Sequence, residues 1–268
     1  DVYQINLTFP LRGRYEGDAM ALYRALRKRQ PVAYGGVVAL GDERVVSLSP
    51  EVFFDVKDGV IRARPMKGTS RRGFLPTEDM ARAAFLTEDE KSRAENLMIV
   101  DLLRNDLSRL AEVGSVRVTD LFTVETYPTL HTMTSGIEAK LRAGTSIADL
   151  FAGLFPCGSV TGAPKIRAME IIAELEREAR GAYAGAIGYL GFAGSLNTCI
   201  TIRTIVFKNG KAYVQAGAGI VWDSVPEKEY QETVNKAMAL LKAIRTAEAA
   251  FPAERKKRVL QAAPNLDY

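Results

Sequence analysis

Histidine is nearly absent. Among 268 residues there is one, His131. That excludes metal sites built on several imidazoles and leaves oxygen ligands, hence a hard cation such as Mg²⁺. Cysteine is scarce too. Cys157 and Cys199 stand far apart and form no CxxC pair, which suits free thiols in a reducing cytosol better than a disulfide framework. No apolar run reaches the roughly 18 residues that mark a membrane span. No charged start followed by an apolar block marks a signal peptide. A cytoplasmic protein without a membrane contact is therefore expected. Neither sign of charge is in large excess: the formal net charge is +4, and the Lys and Arg are scattered. That gives no basic stripe for nucleic acid, whereas a small basic pocket for an anion fits. Repeats and low-complexity segments are also missing.

What remains is an ordinary globular composition, 47% hydrophobic and 25% charged, in a chain long enough to bury its own core. It opens on Asp1, already inside the strand-like run Val2-Tyr3-Gln4-Ile5-Asn6-Leu7, so further residues are expected to precede it. Strand-like patterns occupy 2–9, 34–63, 182–207 and 211–222. Gly35-Gly36, Gly41-Asp42, Lys57-Asp58-Gly59 and Asn209-Gly210 punctuate them, the last as a hairpin turn. Helical patterns fall at 18–29 (Asp18 as N-cap), 87–110, 146–155, 164–180 and 226–246, the last two opening on proline. Hairpins interleaved with separate helices indicate α+β or layered α/β rather than a regular βαβ array. The stretch 251–268 reads as a terminal extension.

Several groupings carry chemistry. Glu95 shares an apolar helix face with Ile99, Leu102 and Asp106. A carboxylate on such a face needs a cation or several donors. On the last helix Glu229, Glu232 and Lys236 lie on one side. Two helices each offering a carboxylate can clamp one Mg²⁺, although Glu232 and Lys236 also fit a plain surface pair. Gly217 and Gly219, in Gln215-Ala216-Gly217-Ala218-Gly219-Ile220, allow either close backbone approach to a carboxylate or a simple bulge. Gly158-Ser159-Val160-Thr161-Gly162-Ala163-Pro164-Lys165 resembles a phosphate loop only faintly and fails its pattern, yet suits an anion-binding helix start. Strand alternation puts Arg203 on one face with Thr201 and Ile205, either against a buried anion or on an edge. By composition, Arg64-Pro65-Met66-Lys67-Gly68-Thr69-Ser70-Arg71-Arg72-Gly73 is a basic, flexible loop.

Taken together, Ser49-Pro50-Glu51, the 65–69 motif, the 94–106 stretch, the 158–165 stretch and the Glu229 to Lys236 run resemble the chorismate-utilising enzymes. That group includes anthranilate synthase component I, aminodeoxychorismate synthase component I, isochorismate synthase and salicylate synthase. The resemblance implies a layered α/β sandwich of two antiparallel sheets with helices outside. It implies a catalytic domain over 1–247, lacking the family's N-terminal part, which leaves 248–268 as an extension or linker. By the same resemblance, Glu95 and Glu232 hold Mg²⁺, with Glu229 nearby through water. Gln4, Thr69, His131, Ser159, Tyr183, Arg203, Gly217, Gly219 and Lys236 surround chorismate.

The resemblance also discriminates among reactions. Water-adding members carry a lysine base where this chain has Gln4, which cannot deprotonate water. Aminodeoxychorismate synthases carry lysine at the position of Lys67, and anthranilate synthases alanine. Lys67 is then the nucleophile and Glu51 the general acid. Arg71 or Arg72, with Mg²⁺, is expected to lower the Lys67 pKa. Ser92 replaces a glutamate common in anthranilate synthases. Ammonia is expected from a glutamine amidotransferase subunit, since no amidotransferase nucleophile is recognisable here. Anthranilate synthesis is the nearest alternative, and a non-catalytic chorismate-binding subunit an alternative of another kind.

Overall fold

The structure is a computed structural model that describes residues 1–249 other than Glu16 and Gln30. In chain order its elements are β1 (Gln4–Arg14), α1 (Ala19–Arg29), β2 (Tyr34–Leu40), β3 (Glu43–Ser49), β4 (Val52–Lys57), β5 (Val60–Ala63), β6 (Met66–Arg71), α2 (Pro76–Glu88), α3 (Glu90–Ser108), β7 (Arg117–Thr126), β8 (Leu130–Lys140), α4 (Ile147–Leu154), β9 (Gly162–Ala163), α5 (Lys165–Leu175), β10 (Ala186–Leu190), β11 (Leu196–Ile200), β12 (Thr204–Lys208), β13 (Lys211–Ile220) and α6 (Pro226–Ala249). They form two antiparallel sheets, as expected for the sandwich. One has the order β2-β3-β12-β13-β1-β9. The other runs β10-β11-β4-β5-β8-β6, with β7 also on β8. The extension read at 248–268 lies, beyond Ala249, outside the described residues.

Each sheet buries one face under helices. Ile99, Val100, Leu103 and Leu107 of α3 and Leu150 and Leu154 of α4 pack on Phe53, Phe54, Ile61 and Ile137 of the second sheet. Leu22 and Leu26 of α1 and Leu240 and Ile244 of α6 cover Val46, Leu48, Ile205 and Val214 of the first. The 3.6-residue spacing of these apolar positions makes each helix amphipathic toward its sheet. Side chains fix the helix starts. Asp18 accepts from the amides of Met20 and Ala21, and Ser146 and Asp149 form a reciprocal capping box. At the β12–β13 hairpin, Asn209 and Gly210 both take positive φ, 51° and 66°, as its two-residue turn requires.

Four readings from sequence need correction. The helix at 87–110 is the second of two. Asp89, with ψ 107°, ends α2 and caps α3 by accepting from the Ser92 amide at 2.9 Å. The β7–β8 hairpin falls in a segment without a strand signal, because the exposed positions of β7 carry mostly Thr and Arg, with Leu121 among them. α5 stops at Leu175 rather than 180. Glu176 instead turns back to accept from the Thr8 amide and hydroxyl, both at 2.9 Å.

The fourth concerns Arg203. The run 198–207 is not one strand: β11 belongs to the second sheet and β12 to the first. Arg203 sits in the crossing with φ 52°, so strand alternation does not apply to it. The chain also crosses between sheets at 50–51, between β3 and β4. The two crossings lie side by side. The Leu48 amide donates to the Arg203 carbonyl, and the Ile200 amide to the Glu51 carbonyl, each at 3.1 Å. Paired strands that change sheet together bring Glu51 and Arg203 to the seam between the layers.

Candidate active site

Lys67 owes its position to a β-bulge. In the β6–β8 ladder Met66 faces Thr134 while Thr69 faces Thr132, so β6 carries one residue more than its partner between those pairs. A bulge re-aims the residue it displaces. Gly68 follows with φ 82°, a conformation natural to glycine, and its carbonyl accepts from Thr132 Oγ1 at 3.1 Å. The first turn of α3 presses on the bulge. A Cβ at Gly68 would lie 2.6 Å from the Ser92 Cβ. Ser92 is itself buried, so a small residue is needed at this contact. A Gly68→Ala variant should lose about 1–3 kcal/mol of stability from the strained φ alone. A urea melt at unchanged m-value would read this, and a loss below the measurement error would show that the bulge relaxes freely.

The partly buried Lys67 ammonium is surrounded by Glu95, Glu51, Lys236 and Cys157. Burial pushes its pKa down, and the Lys236 charge adds to this, against the pull of the two carboxylates. Arg72 is not the cause, contrary to expectation, because its guanidinium is engaged on Asp79. Glu51 is 6% exposed, and its Oε1 has no partner. Burial pushes its pKa up, opposed by Lys67, the Ser159 hydroxyl, the Met66 amide and Arg203. Burial thus shifts both groups toward their neutral forms, and their mutual attraction opposes it.

On the helices, Glu95 of α3 faces Glu232 and Glu229 of α6, whose charges raise its pKa further after burial. Lys91 stands between them, 3.9 Å from Glu95 and 3.7 Å from Glu229. Glu229 also accepts from Ser224 Oγ at 2.8 Å. Lys236 contacts Glu232 at 2.5 Å and donates to the Gly217 carbonyl at 3.1 Å. Among the described residues no group of three His, Cys, Asp or Glu side chains is placed to hold a metal ion. Even so, mutually repelling carboxylates with oxygen donors only fit the chemistry of a hard divalent cation.

Gln4, on β1, is 1% exposed, and neither side-chain polar atom has a partner. Its Nε2 would lie 2.4 Å from a Cβ at Gly219, so glycine there makes room for it. At Gly217 a Cβ would meet the Leu7 carbonyl at 2.2 Å. Tyr183 lies near Arg203, Arg180 and Asn6, and burial raises its phenol pKa. Ser159 stands in a short 3-10 turn with its Oγ 3.3 Å from Cys157 Sγ. Buried polar atoms without partners are rare in folded proteins and mark a place where a ligand can supply them.

Two expected residues stand elsewhere. Thr69 is exposed beyond the bulge. His131 is 2% exposed with both ring nitrogens engaged, Nδ1 at 3.0 Å from Thr126 Oγ1 and Nε2 at 2.8 Å from Asp79 Oδ1. The structure adds Cys157, whose thiol is pushed up to about 11 by burial, and Asn96, fully buried with Nδ2 unpartnered. Asn96 follows Glu95 directly, which was its one visible signal. A cleft of about 850 Å³ opens beside Lys91 and Glu95, and another of about 520 Å³ reaches Tyr183.

Two antiparallel sheets meet at a seam that carries a buried acid beside a lysine on a bulge, and comparison assigns the class of this protein. The family described as chorismate binding enzyme matches residues 1–242, and the chain belongs to it. Within that family, it is 46% identical to anthranilate synthase component 1 of Aquifex aeolicus, over 92% of this chain and 50% of that protein. It is equally, 46%, identical to aminodeoxychorismate synthase component 1 of Escherichia coli, over 90% of this chain and 53% of that protein. The crystal structure of anthranilate synthase component I from Streptococcus pneumoniae superimposes with a TM-score of 0.82 at 42% identity, covering 89% of this chain and 53% of that one. The chain thus spans about half the length of these relatives. No helix among the described residues is long and apolar enough to cross a membrane.

Proposed function

We propose that the chain aminates chorismate with ammonia to 4-amino-4-deoxychorismate, on the route to para-aminobenzoate and folate. The observation that carries this reading is Lys67, aimed by its bulge beside the buried carboxyl of Glu51, whose Oε1 has no partner. Both pKa directions suit the roles assigned. A depressed lysine offers a lone pair, and a raised glutamic acid offers a proton. Lys67 Nζ attacks ring carbon C2, both ring double bonds shift to C1=C6 and C4=C5, and the C4–O bond breaks as Glu51 protonates the departing hydroxyl to water. Ammonia then forms the C4–N bond, both double bonds return to C1=C2 and C5=C6, and the C2–N bond to Lys67 breaks. The proton released from the new ammonium restores Glu51.

Arg203 and Tyr183 hold one substrate carboxylate together with the backbone at Gly217 and Gly219. Gln4 supplies a carboxamide to the bound ring, not a base for water. Ser159 orients Glu51. Glu95 and Glu232, with Glu229 behind them, would hold Mg²⁺. When bound, the cation supplies positive charge for the second substrate carboxylate. A glutamine amidotransferase subunit delivers ammonia in the cytoplasm, and neither nucleic acid nor membrane takes part.

Incubation with chorismate, ammonium and Mg²⁺, followed by chromatography, tests the assignment. The expected product is aminodeoxychorismate, formed only with the divalent cation. Anthranilate as the sole product would assign the other activity named among the relatives. Binding of chorismate without turnover would make the chain a binding subunit.

A further inference from the structure

The strand that carries Lys67 is weakly held by its own ladder. β6 ends its sheet and pairs only with β8, and the bulge interrupts that pairing. An edge strand with a broken ladder depends on side-chain anchors for its exact position. The anchors lie at both ends. Before β6, Arg64 donates to Asp120 and Glu125. After β6, one carboxylate gathers three groups. Asp79, in the first turn of α2, accepts from Arg72 Nε at 2.8 Å and Nη2 at 2.7 Å, from the Gly73 amide at 2.8 Å, and faces His131 Nε2 at 2.8 Å. Arg72 Nη1 also donates to the Tyr127 carbonyl at 2.9 Å. The chain passes so close to α2 that a Cβ at Gly73 would lie 2.3 Å from the Asp79 amide nitrogen.

The hydrogen-bond roles of His131 follow. A carboxylate only accepts, so Nε2 carries the hydrogen toward Asp79, and Nδ1 is taken by Thr126. His131 pairs in register with Ser70 of β6. It therefore links β8 to α2 at the level where β6 ends, and it has no free nitrogen for a substrate.

We propose that Asp79 is a positioning residue for Lys67: its carboxylate fixes the C-terminal end of the bulged strand through Arg72, Gly73 and His131, and His131 serves that anchor rather than the substrate. The inference rests on the reading of Lys67 as the reacting amine. A bidentate arginine, a backbone amide and a buried imidazole on one carboxylate make a rigid node. Loss of its charge lets β6 shift, and a misplacement near 1 Å costs on the order of 10²-fold in rate.

The experiment compares wild type with Asp79→Asn, Arg72→Met and Glu78→Gln. Chorismate consumption gives kcat and KM. Mass spectrometry follows acylation of Lys67 by an amine-directed reagent. Asp79→Asn should lower kcat by roughly 10–100-fold with KM for chorismate within about threefold, and change the Lys67 acylation rate severalfold. Arg72→Met should do the same to a smaller degree. Glu78→Gln perturbs the same turn of α2, where Glu78 accepts from the Phe74 amide, and should leave kcat within about twofold. A folded Asp79→Asn variant with wild-type kcat and wild-type Lys67 acylation overturns the proposal. If that variant does not fold, wild-type values in Arg72→Met overturn it instead. Lys67→Ala is measured alongside. Full turnover there would remove the nucleophile reading, while the acylation rate in Asp79→Asn would still decide the anchor.

Discussion

Lys67→Ala lowers ammonia-dependent turnover of chorismate by on the order of 10²-fold or more, and Lys67→Arg does no better. The pair separates two explanations. If Lys67 served only as a positive charge for an anion, arginine would replace it. A guanidinium has no lone pair at any accessible pH, so it cannot form the bond to C2. The fold should survive both changes. Lys67 projects from a bulge and is not itself part of an apolar cluster, and its ammonium is disfavoured by burial. Turnover is measured as chorismate lost and product gained at saturating ammonium. Undiminished aminodeoxychorismate formation by the alanine variant would sink the nucleophile.

Glu51→Gln should cost about 10²–10⁴-fold in kcat, the usual contribution of a positioned general acid. Glutamine keeps the shape and cannot release a proton. The pH dependence supplies a second reading. Burial raises the Glu51 pKa above 4.5, so the acid form persists to higher pH than in the unfolded chain. Activity that needs this proton falls as pH rises through the raised value, and that limb should vanish in Glu51→Gln. Stability has the same sign. Between the unfolded and folded pKa values the native state binds more protons, so wild type loses stability as pH rises through that window. Glu51→Gln should not show this loss, and its melting temperature should exceed that of wild type above the window. A variant that is slow yet keeps the alkaline limb would place the titration on another group.

The contrast between Glu95 and Arg203 shows how much the sequence disclosed. Glu95 was legible because a helix has a fixed period: a carboxylate in register with Ile99 and Leu102 is on the packed face whatever surrounds it. Asp18, Ser146 and the Asn209-Gly210 turn were legible because caps and tight turns are made by neighbouring residues. Arg203 was misread because alternation assumes an unbroken strand, and nothing local announces that a strand changes sheet. The β7–β8 hairpin escaped because the exposed positions of β7 are mostly Thr and Arg, which dilutes the apolar signal. His131 matched a motif, but its partners Asp79 and Thr126 lie on different elements, which only folding brings together.

Lys67 combines both cases. The family resemblance, and with it membership, two antiparallel sheets and the residue types available for catalysis, was determined by the sequence, because motifs and periodicities are properties of contiguous residues. Composition alone left Lys67 in a basic loop. Only the tertiary structure decided that it sits on a bulge, that burial rather than Arg72 depresses its ammonium, and that Glu51 stands beside it with an unpartnered oxygen. Those facts depend on which strands cross between sheets and which side chains lose water. Desolvation and non-local contact arise from the packed layers, not from any single stretch of chain.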